Sequence, residues 1–205
     1  MLWFVGLMLA TNLVGMIVAR VLDSDHPWID VGIAAADAVI IAACCYRDRA
    51  AILPMLRKGQ VTTRQWAIAG VALLGMTIAA EAWLRFATLL FDTIEILPAF
   101  KTHGWPLWSA VVLVVVLPPI AEELAFRGFL LTRLTRVIGA RDALLLQAAV
   151  FAIVHISPVI LPSHFAIGLA LGIAAQRTGS LVPGMLMHAI WNGWCVVEEL
   201  AGSAA

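Results

Sequence analysis

From Met1 to Ala19 the chain carries no charged residue, and long uncharged apolar runs recur along its length. An α-helix rises ~1.5 Å per residue, so about 20 residues cross a ~30 Å hydrocarbon core. Stretches of this kind fold as spanning helices. Composition agrees, with 62% hydrophobic and 13% charged residues and a mean hydropathy of +0.97. Soluble domains average about 45–50% apolar and 25% charged. The fold class expected is therefore all-α, a polytopic transmembrane helical bundle of about seven helices (six to eight). A chain of 205 residues holds one such bundle and no sizeable extra domain.

The N-terminal run lacks the basic segment of a signal peptide and is long enough to span, so it reads as a retained helix. Helices are expected near 2–22, 31–46, 66–90, 107–132, 142–157, 163–177 and 181–199. The uncharged stretch 143–176 would be about 50 Å long as a single helix, too long for one crossing, and "SPVILPS" supplies the turn that divides it. Loop charges assign the sides. Arg47, Arg49, Arg57, Lys58 and Arg64, then Arg133, Arg136 and Arg141, then Arg177 mark the cytoplasmic face. Asp23, Asp25, Asp30, Asp92, Glu95, Glu198 and Glu199 mark the other, while Arg20, Arg85 and Lys101 break the pattern mildly. The N-terminus is then cytoplasmic in a multi-pass membrane protein, and access to any site from the cytosol rests on this charge bias alone. Net charge is zero, which gives no pointer to nucleic acid. Cys44, Cys45 and Cys195 lie in apolar stretches without CxxC spacing and read as packing residues.

Charge is most expensive in the middle of such a chain, at least about 2.5–3.5 kcal/mol per residue, yet "PPIAEELAFRGFL" follows "LWSAVVLVVVL" directly. Neighbouring helical residues point about 100° apart, so Glu122 and Glu123 face different ways. Glu123 and Arg127 are four apart in the favourable order for a helix ion pair. Glu122 has no such partner and is expected to point into the bundle. Pro118 and Pro119 remove two backbone donors and predict a kink near Leu117, leaving Glu122 in the first turn beyond it. Two more i, i+4 pairs follow: Phe151 with His155 in "FAIVH", and His188 with Asn192 in "HAIWN".

A carboxylate and an imidazole can polarise one water, with the carboxylate as general base. A second imidazole and an amide can donate to the oxyanion of a scissile carbonyl. Glu122, His155, His188 and Asn192 supply these parts, and the reaction expected is peptide-bond hydrolysis by activated water, with no cofactor. The rival chemistry is zinc, with Glu122, His155 and His188 as ligands and one open position. All three would come from separate helices.

The motifs "EELAFR", "FAIVH" and "HAIWN", in this order, resemble EExxxR, FxxxH and HxxxN of the CAAX protease and bacteriocin-processing (CPBP, abortive-infection) family of intramembrane proteases. "HFAIGLALG" and "TGSLVPGMLMHAIWN" resemble the family's intervening text. The resemblance covers about 107–200 and divides the chain into N-terminal helices, 1–106, and a catalytic core of about four helices, 107–200. It implies a glutamic-type endopeptidase in which Glu122 with His155 activates water and His188 with Asn192 forms the oxyanion hole. Glu123, Arg127 and Phe151 are supporting residues. The substrate implied is a membrane-anchored protein or peptide, including CAAX-type tails and leader peptides, and a metalloprotease label is possible within the family. The alternatives are a non-catalytic bacteriocin-immunity or partner-binding membrane protein and a proton-linked transporter; the latter predicts inverted repeats, and none is detectable.

Gly168 and Gly172 have GxxxG spacing and read as a close helix contact. His164, beside Pro162 at the helix entry, reads as an interfacial loop histidine, with contact to substrate as the alternative. Asp37 and Glu81 read as structural acids, paired with each other, with Arg85 or with Asn12. Trp3, Trp28, Trp66, Trp105 and Trp108 read as interfacial anchors.

Overall fold

The computed structural model describes residues 2–56, 61–91 and 95–202. Its helices are α1 (Leu2–Leu22), α2 (Trp28–Arg47), the one-turn α3 (Arg49–Ile52), α4 (Thr63–Ala87), the short α5 (Leu97–Thr102), α6 (Leu107–Ile138), α7 (Ala140–Ile153), α8 (Leu161–Thr178) and α9 (Val182–Gly202). No strand occurs among the described residues. The protein is an all-α membrane bundle. All seven expected helices are present, and α1, α2, α4 and α6 are long and apolar enough to cross a bilayer by themselves. Helix α7 has 14 residues, about 21 Å, so the division at "SPVILPS" produces a segment shorter than a crossing.

Helix ends follow local chemistry. Thr62 and Gln65 form a reciprocal capping box that starts α4 three residues earlier than the apolar pattern alone. Gly139, at φ +83°, ends α6 at Ile138 rather than near 132. Helix α7 stops at Ile153 because Ile156 turns into the left-handed region at φ +50° and Pro158 follows.

The double proline acts differently from the expectation. Helix α6 does not leave helical geometry at Leu117. It widens instead into i→i+5 bonding over Val111–Val116, where the Leu117 N–H reaches the Val112 carbonyl. A second wide stretch covers Glu123–Leu131. Such π-type turns accommodate residues that have no N–H to give.

The two ends of the bundle differ. At one, Arg133 grips Asp48 with two bonds, to Oδ2 through Nε and to Oδ1 through Nη2 at 2.6 Å. Gln65 donates to the Arg177 carbonyl at 2.9 Å, and Ser180 Oγ and the Leu181 N–H donate to the Met55 carbonyl at 3.0 and 2.8 Å. The described arginines of the cytoplasmic set, from Arg47 to Arg177, gather here; Arg57, Lys58 and the opposing Asp92 lie outside the described residues. At the other end His103 bonds Asp25 at 2.9 Å and holds its carboxyl below the usual range. Trp83 Nε1 donates to the Val159 carbonyl at 2.6 Å there, and the Glu199 carboxylate accepts from Ile96 and Leu97 N–H groups at 2.9 and 2.7 Å.

Between the ends, Phe4 and Met8 of α1 share one apolar cluster with Phe126 and Phe129 of α6. The GxxxG reading holds where α8 meets α7, since a Cβ on Gly168 would sit 3.0 Å from Ala148 Cα. Asp37 bonds Thr11 and Asn12. Glu81 pairs with Arg85 at 3.2 Å and accepts from Trp194 Nε1 at 2.7 Å, so the two acids take separate partners.

Candidate active site

Glu122, Glu123 and Arg127 lie on α6 at mid-bundle. Glu123 and Arg127 are wholly buried, and Arg127 Nη1 donates to Glu123 Oε1 at 2.7 Å. Nη2 donates to the Gly168 carbonyl at 3.2 Å, and the guanidinium lies 4.5 Å above the Phe151 ring. A buried charge needs this kind of multiple compensation. Bare backbone makes it possible, because a Cβ on Gly184 would fall 2.7 Å from Glu123 Oε2. Helix α9 therefore meets the carboxylate through a residue with no side chain.

His188 stands between the two glutamates. Its Nδ1 is 3.3 Å from Glu123 Oε1 and its Nε2 is 3.8 Å from Glu122 Oε2. A carboxylate paired with arginine only accepts, which assigns the proton to Nδ1 and leaves Nε2 toward Glu122. His155 places Nδ1 2.7 Å from the Phe151 carbonyl, and His164 places Nδ1 3.0 Å from the Ile160 carbonyl. Carbonyls also only accept. All three imidazoles thus hold a proton at Nδ1 and keep Nε2 for other partners. Phe151 sits among them, with ring centroids 5.0 Å from His155, 6.1 Å from His164 and 6.0 Å from His188.

Asn192 explains what the prolines leave behind. The carbonyl of Val114 would bond the N–H of residue 118 in an ordinary helix, or of 119 in a wide one, and both are proline. Asn192 Nδ2 donates to that carbonyl at 2.8 Å. One amide hydrogen is so used, the side chain is fixed, and the second hydrogen remains.

Glu122, His155, His164, His188, Trp191 and Asn192 line one cleft of about 710 Å³, within the usual range for small-molecule and peptide sites. Glu122 Oε2 is buried and has no hydrogen-bond partner among the described groups. The sequence-derived set of Glu122, His155, His188 and Asn192 is brought together on this wall, while Glu123, Arg127 and Phe151 pack behind it.

His164 sits at the helix entry, inside the expected span 163–177, and lines the cleft rather than lying in an interfacial loop. It is in the first turn of α8, half-buried, with its ring centroid 4.2 Å from that of His155. The signal was the turn itself, because a reversal over "SPVILPS" brings the residues flanking it face to face. Ile156, a β-branched residue at positive φ beside His155, is a strained position of the kind that collects at functional sites.

A zinc set is a poor fit. No group of three His, Cys, Asp or Glu side chains among the described residues is close enough to hold a metal ion.

The fold and the cleft define an integral membrane protein with an acid–imidazole–amide site at mid-bundle. Residues 104–194 match the family model described as type II CAAX prenyl endopeptidase Rce1-like. Over this segment the chain is similar to that family of membrane peptidases, which supports the resemblance to the CAAX protease and bacteriocin-processing family carried by the three motifs. No curated protein and no solved structure matches it significantly.

Proposed function

We propose that the protein is a multi-pass plasma-membrane endopeptidase that cuts a membrane-anchored protein or peptide near its anchor, with Glu122 as general base. The observation that carries this is that Glu122, with Oε2 lacking a hydrogen-bond partner among the described groups, lines one cleft with His155, His164 and His188, on a segment that matches an endopeptidase family.

Glu122 takes a proton from a water, and the hydroxide attacks the scissile carbonyl carbon. His155, neutral with an open Nε2, accepts the water's other hydrogen bond and orients it. The carbonyl oxygen becomes an oxyanion, stabilised by the free amide hydrogen of Asn192 and by His188 when its Nε2 carries a proton. His188 lies against Glu122 at 3.8 Å, so the two share that proton during the cycle. The proton on Glu122 then passes to the leaving amine nitrogen. Glu123 and Arg127 fix the turn that presents Glu122. The N-terminus is cytoplasmic in this reading, on the side of the arginine-rich end.

The test is cleavage of membrane-tail peptides by purified wild type and Glu122→Ala, each with and without a zinc chelator. The expected result is loss of about 10²–10⁴-fold in the variant and no effect of chelator on wild type. Full activity in Glu122→Ala overturns the site. Loss with chelator, restored by zinc, overturns the metal-free mechanism.

A further inference from the structure

The family reading says what the cleft does but leaves open the side of the membrane from which it is reached. Laid on the structure, the loop charges address this, and they point away from the cytosol.

The cleft runs from Glu122 and His188 at mid-bundle to Thr88, Lys101 and Gly202 at one end. Thr88 follows the last residue of α4, Lys101 is on α5, and Gly202 closes α9. The other walls come from the first half of α6, from His155 just past the end of α7, and from the first turn of α8. Each contributing helix thus offers only its mid-bundle part or its far terminus.

None of the wall comes from the arginine-rich end. Arg64, Arg133, Arg136, Arg141 and Arg177 sit at the opposite termini of the same helices, and Arg47 ends α2 on that side. That end is also cross-tied among the described residues, by the Arg133–Asp48 grip and by the bonds to the Met55 carbonyl. Basic residues in short loops set the orientation of a membrane bundle and stay in the cytoplasm. Acidic residues carry little weight in that rule, so it is the arginines that matter. The three basic residues of the open end, Arg20, Arg85 and Lys101, are outnumbered, and Arg85 is bonded to Glu81 and Glu198.

We infer that the cleft is entered from the non-cytoplasmic side of the membrane, and that the substrate is a membrane-anchored protein or peptide whose scissile segment stands on that side. The substrate half of this rests on the endopeptidase reading; the sidedness does not.

The test uses the full chain in spheroplasts, with Cys44→Ala, Cys45→Ala and Cys195→Ser as background. A single reporter is placed at Thr88→Cys, at the cleft mouth, or at Arg136→Cys, on the other end; both positions are exposed. Neither belongs to the catalytic set. Each is treated with a membrane-impermeant maleimide before and after permeabilisation, with a permeant maleimide as the reactivity control. The expected result is labelling of Thr88→Cys in intact spheroplasts at least ~10-fold above Arg136→Cys, with the difference lost on permeabilisation. The reverse pattern overturns the inference. Equal labelling of both before permeabilisation, which marks a mixed orientation, overturns it too. So does a Thr88→Cys thiol that reacts with the permeant reagent alone. Labelling is read without activity, so the Glu122→Ala assay judges the peptidase reading separately.

Discussion

Glu122 and Glu123 are neighbours on one turn of α6, yet they stand in two different media. Behind the turn, Glu123 is wholly buried with Arg127, capped by the Gly168 carbonyl, an aromatic face and the bare backbone at Gly184. In front of it, the Glu122 side chain keeps 24% of its surface and leaves Oε2 without a partner among the described groups. Both are acids in an apolar bundle, and the desolvation argument alone would treat them alike. The difference shows which charge is structural: the one whose neighbours have been arranged to compensate it. His188 touches both, through Nδ1 on one side and Nε2 on the other. It is the part through which the rigid rear wall positions the reactive front.

This contrast breaks most easily from behind. Arg127→Met leaves Glu123 buried without its partner and should destabilise the folded bundle by about 3–5 kcal/mol, read as a lower unfolding midpoint in detergent micelles. Adding Glu123→Leu to it should recover most of that loss, because two apolar groups of similar volume need no compensation. Glu122→Gln keeps the shape of a side chain that is partly exposed and has no hydrogen-bond partner at Oε2 among the described groups, and should leave the midpoint within about 0.5 kcal/mol of wild type. A midpoint that falls equally in Glu122→Gln and Arg127→Met would erase the distinction.

Asn192 belongs to both regions, and its removal sharpens the line between them. Asn192→Ala deletes an oxyanion donor and also orphans the Val114 carbonyl. The rate of peptide cleavage should fall by about 10²–10³-fold, with a loss of about 1–3 kcal/mol in stability from the unpaired carbonyl. Replacing Pro118 by Ala in the variant restores an N–H that can reach Val114, so stability should return while activity does not. Recovery of both would reduce Asn192 to a helix-capping residue. Gly184→Ala is gentler. It pushes a methyl group toward Glu123 Oε2, and overpacking of this kind typically costs about 1–3 kcal/mol; the same melting measurement should show it.

Much of this was legible in the chain. Span-length apolar runs give seven helices, and i, i+4 spacing correctly pairs Glu123 with Arg127, since both depend on neighbours in sequence. Helix ends move where a single residue overrides the hydrophobic pattern, as Gly139 and Ile156 do through positive φ. The double proline reads as a kink from local rules. That the helix widens instead depends on a donor 78 residues away, Asn192, reaching the Val114 carbonyl, and no local pattern carries such a contact. The contact of His164 with His155 is hidden for the same reason: it comes from the path of the turn between them. The contact between His188 and both glutamates likewise exists only once α9 lies against α6.

The smallest effect expected lies at the arginine-rich end. Arg133 holds the Asp48 carboxyl below the usual carboxylate range, first by donating hydrogen bonds to it and then by its charge. A depressed folded value means that the contribution to stability is fully present above the unfolded carboxylate pKa, about 3.9, and is lost as pH falls through the folded one. The pair is partly solvated, with 27% and 17% of the two side chains exposed, so about 1 kcal/mol or less is at stake. Asp48→Asn should therefore melt slightly below wild type at pH 7, and the gap should close on acidification below about pH 4. Differencing the two proteins removes the other carboxylates from the comparison. A gap that stays constant with pH would mean that shape rather than charge ties α2 to α6. The arginine-rich end would then be held together by packing, and acid alone would not loosen it.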